Sequence, residues 1–138
     1  MTVLVAYDGS KPARTAAEYA FTEYPDEEIV LLRVIEAADG FTDAGIEIVR
    51  DFFAERKAEA SAEMRADVEE LVDADEPEFR TEIAIGKPAH EVVRFADEHD
   101  VDHIVVGNHG RSGVSRVLLG SVAEKIVRRA PVPVTVVR

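Results

Sequence analysis

Residues 107–121 read GNHGRSGVSRVLLGS. An apolar run, Ile104-Val105-Val106, precedes this stretch, and a helix-like run from Val122 to Val127 follows it. A connecting turn needs one or two glycines. Here stand Gly107, Gly110, Gly113 and Gly120, together with Ser121, Arg111 and Arg116. Glycine lets backbone N–H groups approach a bound group without interference from a Cβ. A helix opening at Gly120-Ser121 adds N–H groups with no intrahelical partner and the positive end of its dipole. A strand, a glycine loop and a helix start in this order suit a phosphate.

The pattern around the loop extends over the whole chain. Thr2–Tyr7 (TVLVAY) is a short β-branched apolar run and reads as a buried strand. Asp8-Gly9-Ser10 turns into a helix with Ser10 as N-cap and Pro12 in the first turn. Ala13, Ala16, Ala17, Ala20, Phe21 and Tyr24 give that helix its apolar face, and Pro25 ends it. Glu28–Ile35 is a second buried strand. A long helix spans about 43–74, with Ile46, Val49, Phe53, Ala60, Met64, Val68 and Leu71 on one face. Phe79–Ile85 alternates and reads as a less buried strand. Gly86-Lys87-Pro88 opens a third helix carrying Ala89, Val92, Val93 and Ala96. Val101–Val106 is the fourth strand, 121–129 the last helix, and 131–137 the last strand.

Strands alternating with helices make parallel βαβ units. The expected fold is one α/β domain over 1–138: an open, doubly wound, five-stranded parallel sheet with helices on both faces. Pro131 and Pro133 cannot donate to a ladder, which places the last strand at an edge. In such sheets ligands bind beyond the carboxyl ends of the strands, where the order reverses. If the first and fourth strands are neighbours, Asp8 and the glycine loop share that crevice. Asp8 then suits ribose hydroxyls, or a Mg²⁺ shared with phosphates, and Val34 offers an apolar wall to a base. Each residue alone has a plainer reading: a turn glycine, a capping Ser121, a turn Asp8. Their meeting at one crevice favours phosphate.

Composition narrows the alternatives. The chain has 138 residues, no cysteine and a net charge of −12. Residues 101–138 hold six basic and two acidic residues, so the positive charge gathers around the glycine loop. The acidic body argues against nucleic acid as a partner. No apolar stretch reaches the roughly 18 residues of a membrane span, and the first residues lack the marks of a secretory signal; the expectation is a cytoplasmic protein. Four lysines against twelve arginines on an acidic chain suit a high-salt, halophilic interior.

Other motifs fall short. No lysine precedes Ser121 as a Walker A loop requires, and Asp8-Gly9-Ser10 lacks the dinucleotide glycine spacing. His90-Glu91-Val92-Val93-Arg94 starts like a zinc-protease helix, but Arg94 stands where the second histidine belongs. His99 reads as solvated, His109 as an exposed loop histidine with a phosphate contact as the alternative, and His103 as a packed or edge residue.

The spacing Gly107-x2-Gly110-x9-Gly120-Ser121 resembles the nucleotide signature of the universal stress protein family. Val5-x-Tyr7-Asp8-Gly9-Ser10, Leu31-Leu32-Arg33-Val34, Gly86-Lys87-Pro88 and Pro131-Val132-Pro133-Val134 agree with that family. The resemblance implies strand order 3-2-1-4-5, the ATP-binding branch, and a homodimer through the C-terminal strand. Carried over by position, Ala6, Tyr7 and Asp8 would line the pocket, and Val34 would meet adenine through its backbone. Gly107, Gly110, Gly120, Ser121 and Val122 would hold ribose and phosphates. Arg33 departs from the histidine of many members and alters the pocket rim. The implied ligand is ATP or AMP, with Mg²⁺ at Asp8. The implied role is a stress-response regulator whose protein clients the sequence does not name. A slow Mg²⁺-dependent ATPase and a partner-binding domain without nucleotide are the alternatives.

Overall fold

The computed structural model describes residues 1–36, 43–71, 78–108 and 119–138, with side chains of the long helix described from residue 56 onward. Among the described residues nine elements alternate: β1 (Thr2–Ala6), α1 (Lys11–Glu23), β2 (Glu28–Ile35), α2 (Asp43–Leu71), β3 (Phe79–Ile85), α3 (Pro88–Glu98), β4 (His103–Gly107), α4 (Ser121–Arg129) and β5 (Val134–Val137). The strands form one parallel sheet in the order β3-β2-β1-β4-β5. The order reverses between β1 and β4, as the phosphate reading requires.

Strand alternation divides the core between two faces. Val3, Val5 and Tyr7 face α1 and α2, and pack with Ala13, Ala16, Ala17, Ala20, Met64 and Val68. Leu4 faces the other way, with Val30, Leu32, Ile104 and Val106, under Ala89, Val92, Ala96, Ala123 and Ile126 of α3 and α4. A period of two in the strands and of 3.6 in the helices produces this sorting without further information. The four alanines of α1 are almost wholly enclosed, so that helix lies close against the sheet.

Local chemistry sets the helix starts. Ser10 caps α1, its Oγ accepting the Ala13 N–H at 3.3 Å, and a proline occupies the first turn. This satisfies a donor that the helix itself leaves unpaired. Gly9, at φ +81°, makes the bend from β1 into that cap. α2 is fastened at its carboxyl-terminal half. Arg65 donates to the Phe79 carbonyl at 3.2 Å and lies over the Phe79 ring, and Ser61 hydrogen-bonds Thr81.

Boundaries differ from the sequence reading in three places, the first being β1, which ends at Ala6, one residue before the expected Tyr7. β5 begins at Val134, not at Pro131, because neither proline has an N–H to donate. Pro133 still contributes its carbonyl, which accepts the Ile104 N–H at 3.0 Å. β4 runs from His103 to Gly107, two residues later at its start and one at its end than expected. Asp102 instead closes the amino end of β1, its N–H donating to the Thr2 carbonyl and its carboxylate accepting the Thr2 N–H, at 2.9 and 2.8 Å. The acidic segment expected to end α2, 73–77, lies outside the described residues. Among the described residues no helix is long and apolar enough to cross a membrane.

Candidate functional site

The candidate crevice lies beyond the carboxyl ends of β1 and β4, where three described segments meet: Ala6-Tyr7-Asp8, Gly107-Asn108, and the start of α4. Parallel pairing of Val5 with Val105 brings the two strand ends abreast. Ala6, Val34 and Val122 are partly buried and pack against one apolar cluster, on the α3/α4 face. Val34 pairs with Ala84 of β3, extending this apolar floor along the carboxyl ends of the strands.

Tyr7 has the opposite orientation. Its side chain is buried in the α1/α2 cluster and its hydroxyl donates to Asp67 at 3.5 Å, where Arg14 also meets that carboxylate. Burial first, and then the Asp67 charge, push the phenol pKa up, so it stays neutral. Its N–H donates to the Leu32 carbonyl at 2.9 Å. Tyr7 therefore borders the crevice through its backbone and anchors α2 through its ring.

Asp8 is exposed, and its Oδ1 accepts the Ser10 N–H at 2.9 Å. That bond turns the chain from β1 into α1 and ties the carboxylate back onto the turn. Among the described residues no group of three or more His, Asp or Glu side chains gathers to hold a metal.

Gly107 has a structural cause as well as a functional expectation. A Cβ there would lie 2.3 Å from the Pro12 carbonyl oxygen and 2.6 Å from its carbon. The first turn of α1 thus sits directly on the end of β4, and only glycine leaves room for it. The start of α4 matches the expected opening at Gly120-Ser121 and rules out the plainer reading of Ser121 as a cap. Gly120 is the N-cap of α4, at φ −60° and ψ 156°, and Ser121 is the first helical residue, exposed. Ser121 makes no cap. Its N–H, with those of Val122 and Ala123, belongs to the first turn, where a helix offers donors but no acceptors. Gly110, with His109, Arg111, Gly113 and Arg116, lies outside the described residues.

Asn108 escaped the sequence reading. Its side-chain oxygen accepts the Gly120 N–H at 2.9 Å, and its own N–H donates to the Val137 carbonyl at 2.9 Å. It joins the ends of β4 and β5 to the start of α4. The available signal was a polar amide placed directly after a buried strand.

Of the remaining candidates, His103 Nε2 lies 2.6 Å from Thr135 Oγ1, across β4 and β5, and burial lowers its pKa. His99 stacks on Phe95 with ring centroids 4.1 Å apart, at the exposed end of α3. His90 is exposed.

Known proteins share this fold. Universal stress protein MJ0531 of Methanocaldococcus jannaschii is 32% identical over 139 residues, spanning 99% of this chain and 81% of the relative. Universal stress protein MJ0577 of the same organism is 30% identical over 151 residues, spanning 99% and 93%. The solved structure of universal stress protein UspA from Lactobacillus plantarum superposes with a TM-score of 0.78 at 28% identity, covering 100% of this chain and 97% of that one. The same fold occurs in a universal stress family protein from Arabidopsis thaliana with AMP bound (TM-score 0.65, 18% identity, 99% and 90% coverage). It also occurs in an Archaeoglobus fulgidus universal stress protein in complex with dAMP (TM-score 0.64, 21% identity, 100% and 98% coverage). The sequence profile of the universal stress protein family matches residues 1–138, from end to end. The chain belongs to the universal stress protein family.

Proposed function

We propose that this protein binds an adenine nucleotide, ATP or AMP, in the crevice beyond β1 and β4, and acts as a regulator whose conformation or dimer state follows nucleotide occupancy. The observation that carries this reading is the meeting of the α4 amino terminus with the carboxyl ends of β1 and β4 at the point of strand reversal. The α4 N–H groups suit phosphates, Asp8 suits ribose hydroxyls or a phosphate-bound Mg²⁺, and Ala6, Val34 and Val122 supply an apolar wall for adenine. Relatives of the same fold carry AMP and dAMP, which supports the ligand class. Gly110 completes the proposed phosphate loop, and the edge strand β5 is the proposed homodimer surface.

Calorimetric titration with ATP, AMP and GTP in Mg²⁺, at low and at molar KCl, tests the reading. Micromolar binding of the adenine nucleotides with weaker binding of GTP is expected. Binding of none of the three at either salt would leave the crevice as architecture and end the nucleotide hypothesis. Phosphate release measured in the same mixtures separates sensing from cleavage.

A further inference from the structure

Asn108 occupies a peculiar place in this crevice. Its backbone is held on both sides: Gly107 is pressed against Pro12, and the Asn108 N–H is bonded to Val137. A short side chain on so constrained a backbone has little freedom, and its oxygen takes up the Gly120 N–H. That N–H is one of the donors that the phosphate reading assigns to the anion. A backbone N–H has a single hydrogen, so a strong bond to Asn108 leaves the next turn, Ser121 to Ala123, to face a phosphate.

We propose that Asn108 is a positioning residue for the nucleotide phosphates: its neutral amide oxygen pins the Gly120 N–H and so aims the first turn of α4 into the crevice. The proposal rests on the nucleotide reading above. The choice of amide over carboxylate is the specific content. Aspartate has the same shape and would accept the Gly120 N–H at least as strongly, since a charged acceptor strengthens the bond. It would also set a negative charge beside the phosphates, in a site partly screened from water, where like charges repel more strongly than in solution. Asparagine alone of the two supplies the acceptor without the repulsion.

The test compares wild type with Asn108→Asp and Asn108→Ala. Two quantities are read: hydrogen exchange of the Gly120 amide without ligand, and calorimetric affinity for ATP, AMP and adenosine. Asn108→Ala should speed Gly120 exchange by about tenfold or more and weaken ATP by about tenfold, the loss of one hydrogen bond of roughly 1.4 kcal/mol. Asn108→Asp should keep exchange slow while weakening ATP by about 100-fold, AMP less, and adenosine least. A penalty graded by phosphate number separates charge at the site from general damage, which would weaken all three alike. If Asn108→Ala fails to fold, the isosteric Asp variant still decides. Asn108→Asp binding ATP as tightly as wild type overturns the proposal, as does Asn108→Ala with unchanged Gly120 exchange. Wild type that binds neither ATP nor adenosine overturns the nucleotide reading itself and this proposal with it; wild type that binds, with variants that match it, overturns the proposal alone.

Discussion

Replacing Gly107 with alanine tests whether that glycine serves the packing of α1. The added Cβ would meet the Pro12 carbonyl oxygen at 2.3 Å, the carbonyl carbon at 2.6 Å and the Pro12 Cβ at 3.0 Å. Ordinary contacts begin near 3.4 Å, so the first turn of α1 must retreat by about 1 Å. The atoms in the way are backbone and ring atoms, with no rotamer to swing aside. Overpacking of this kind costs about 1–3 kcal/mol. Alanine returns about 0.4–1 kcal/mol by restricting the unfolded chain. Mid-range values, about 2 against about 0.7 kcal/mol, leave a net destabilisation of about 1–2 kcal/mol. A domain of 138 residues has an unfolding entropy of about 0.3 kcal/mol per degree, which converts this into a Tm lower by about 3–7 °C. Thermal unfolding followed by circular dichroism, without nucleotide, reads it directly. A Gly107→Ala protein melting within a degree of wild type would refute the packing argument, and would return Gly107 to the ligand as its only reason for being glycine.

Gly120 should behave in the opposite way. Its backbone angles, φ −60° and ψ 156°, are open to any residue, so Gly120→Val should stay folded, losing only the N-cap preference of about 1 kcal/mol, yet lose ATP affinity by about 100-fold; calorimetry showing intact binding would remove α4 from the phosphate site. His103 carries a pH dependence. Burial lowers its folded pKa below the ordinary value of 6.5, so the unfolded chain takes up the proton first. The stability due to neutral His103 is complete above that pH and is lost as pH falls from 6.5 toward the folded pKa. Denaturant titrations of wild type and His103→Gln from pH 8 to 5 should diverge below pH 6.5, with wild type losing stability faster; parallel curves would count against it. The net charge of −12 should make stability rise with KCl, as screening relieves self-repulsion. A Tm that is flat or falling up to molar KCl would contradict the high-salt reading.

Much of the fold was legible in the chain because period and punctuation agreed. β2, β3 and α4 match their expected bounds residue for residue, as apolar runs or amphipathic faces closed by glycine, proline or acidic residues. Ser10 announced its cap, and the two prolines announced an edge strand. The strand order itself came from likeness to a family, since local patterns carry no record of which strands lie side by side.

The candidate site was legible as a set of residue types and not as a set of contacts. A glycine after a strand shows only that a side chain is unwelcome. That Pro12, ninety-five residues earlier, is what excludes it at Gly107 depends on α1 lying across the end of β4. Tyr7 could be placed beside the crevice by position, but strand parity turned its ring into the opposite core, toward Asp67. Asn108 looked like one more loop residue until the fold set it 2.9 Å from Gly120. Composition and short-range periodicity were enough for the elements, the edge strand and the charge, because these are properties of residues close together in the chain. Tertiary structure alone decided which glycine yields to packing, which helix N–H is already taken and which way each side chain faces. These depend on distances between residues far apart in the chain, and such distances exist only once the sheet has closed on its helices.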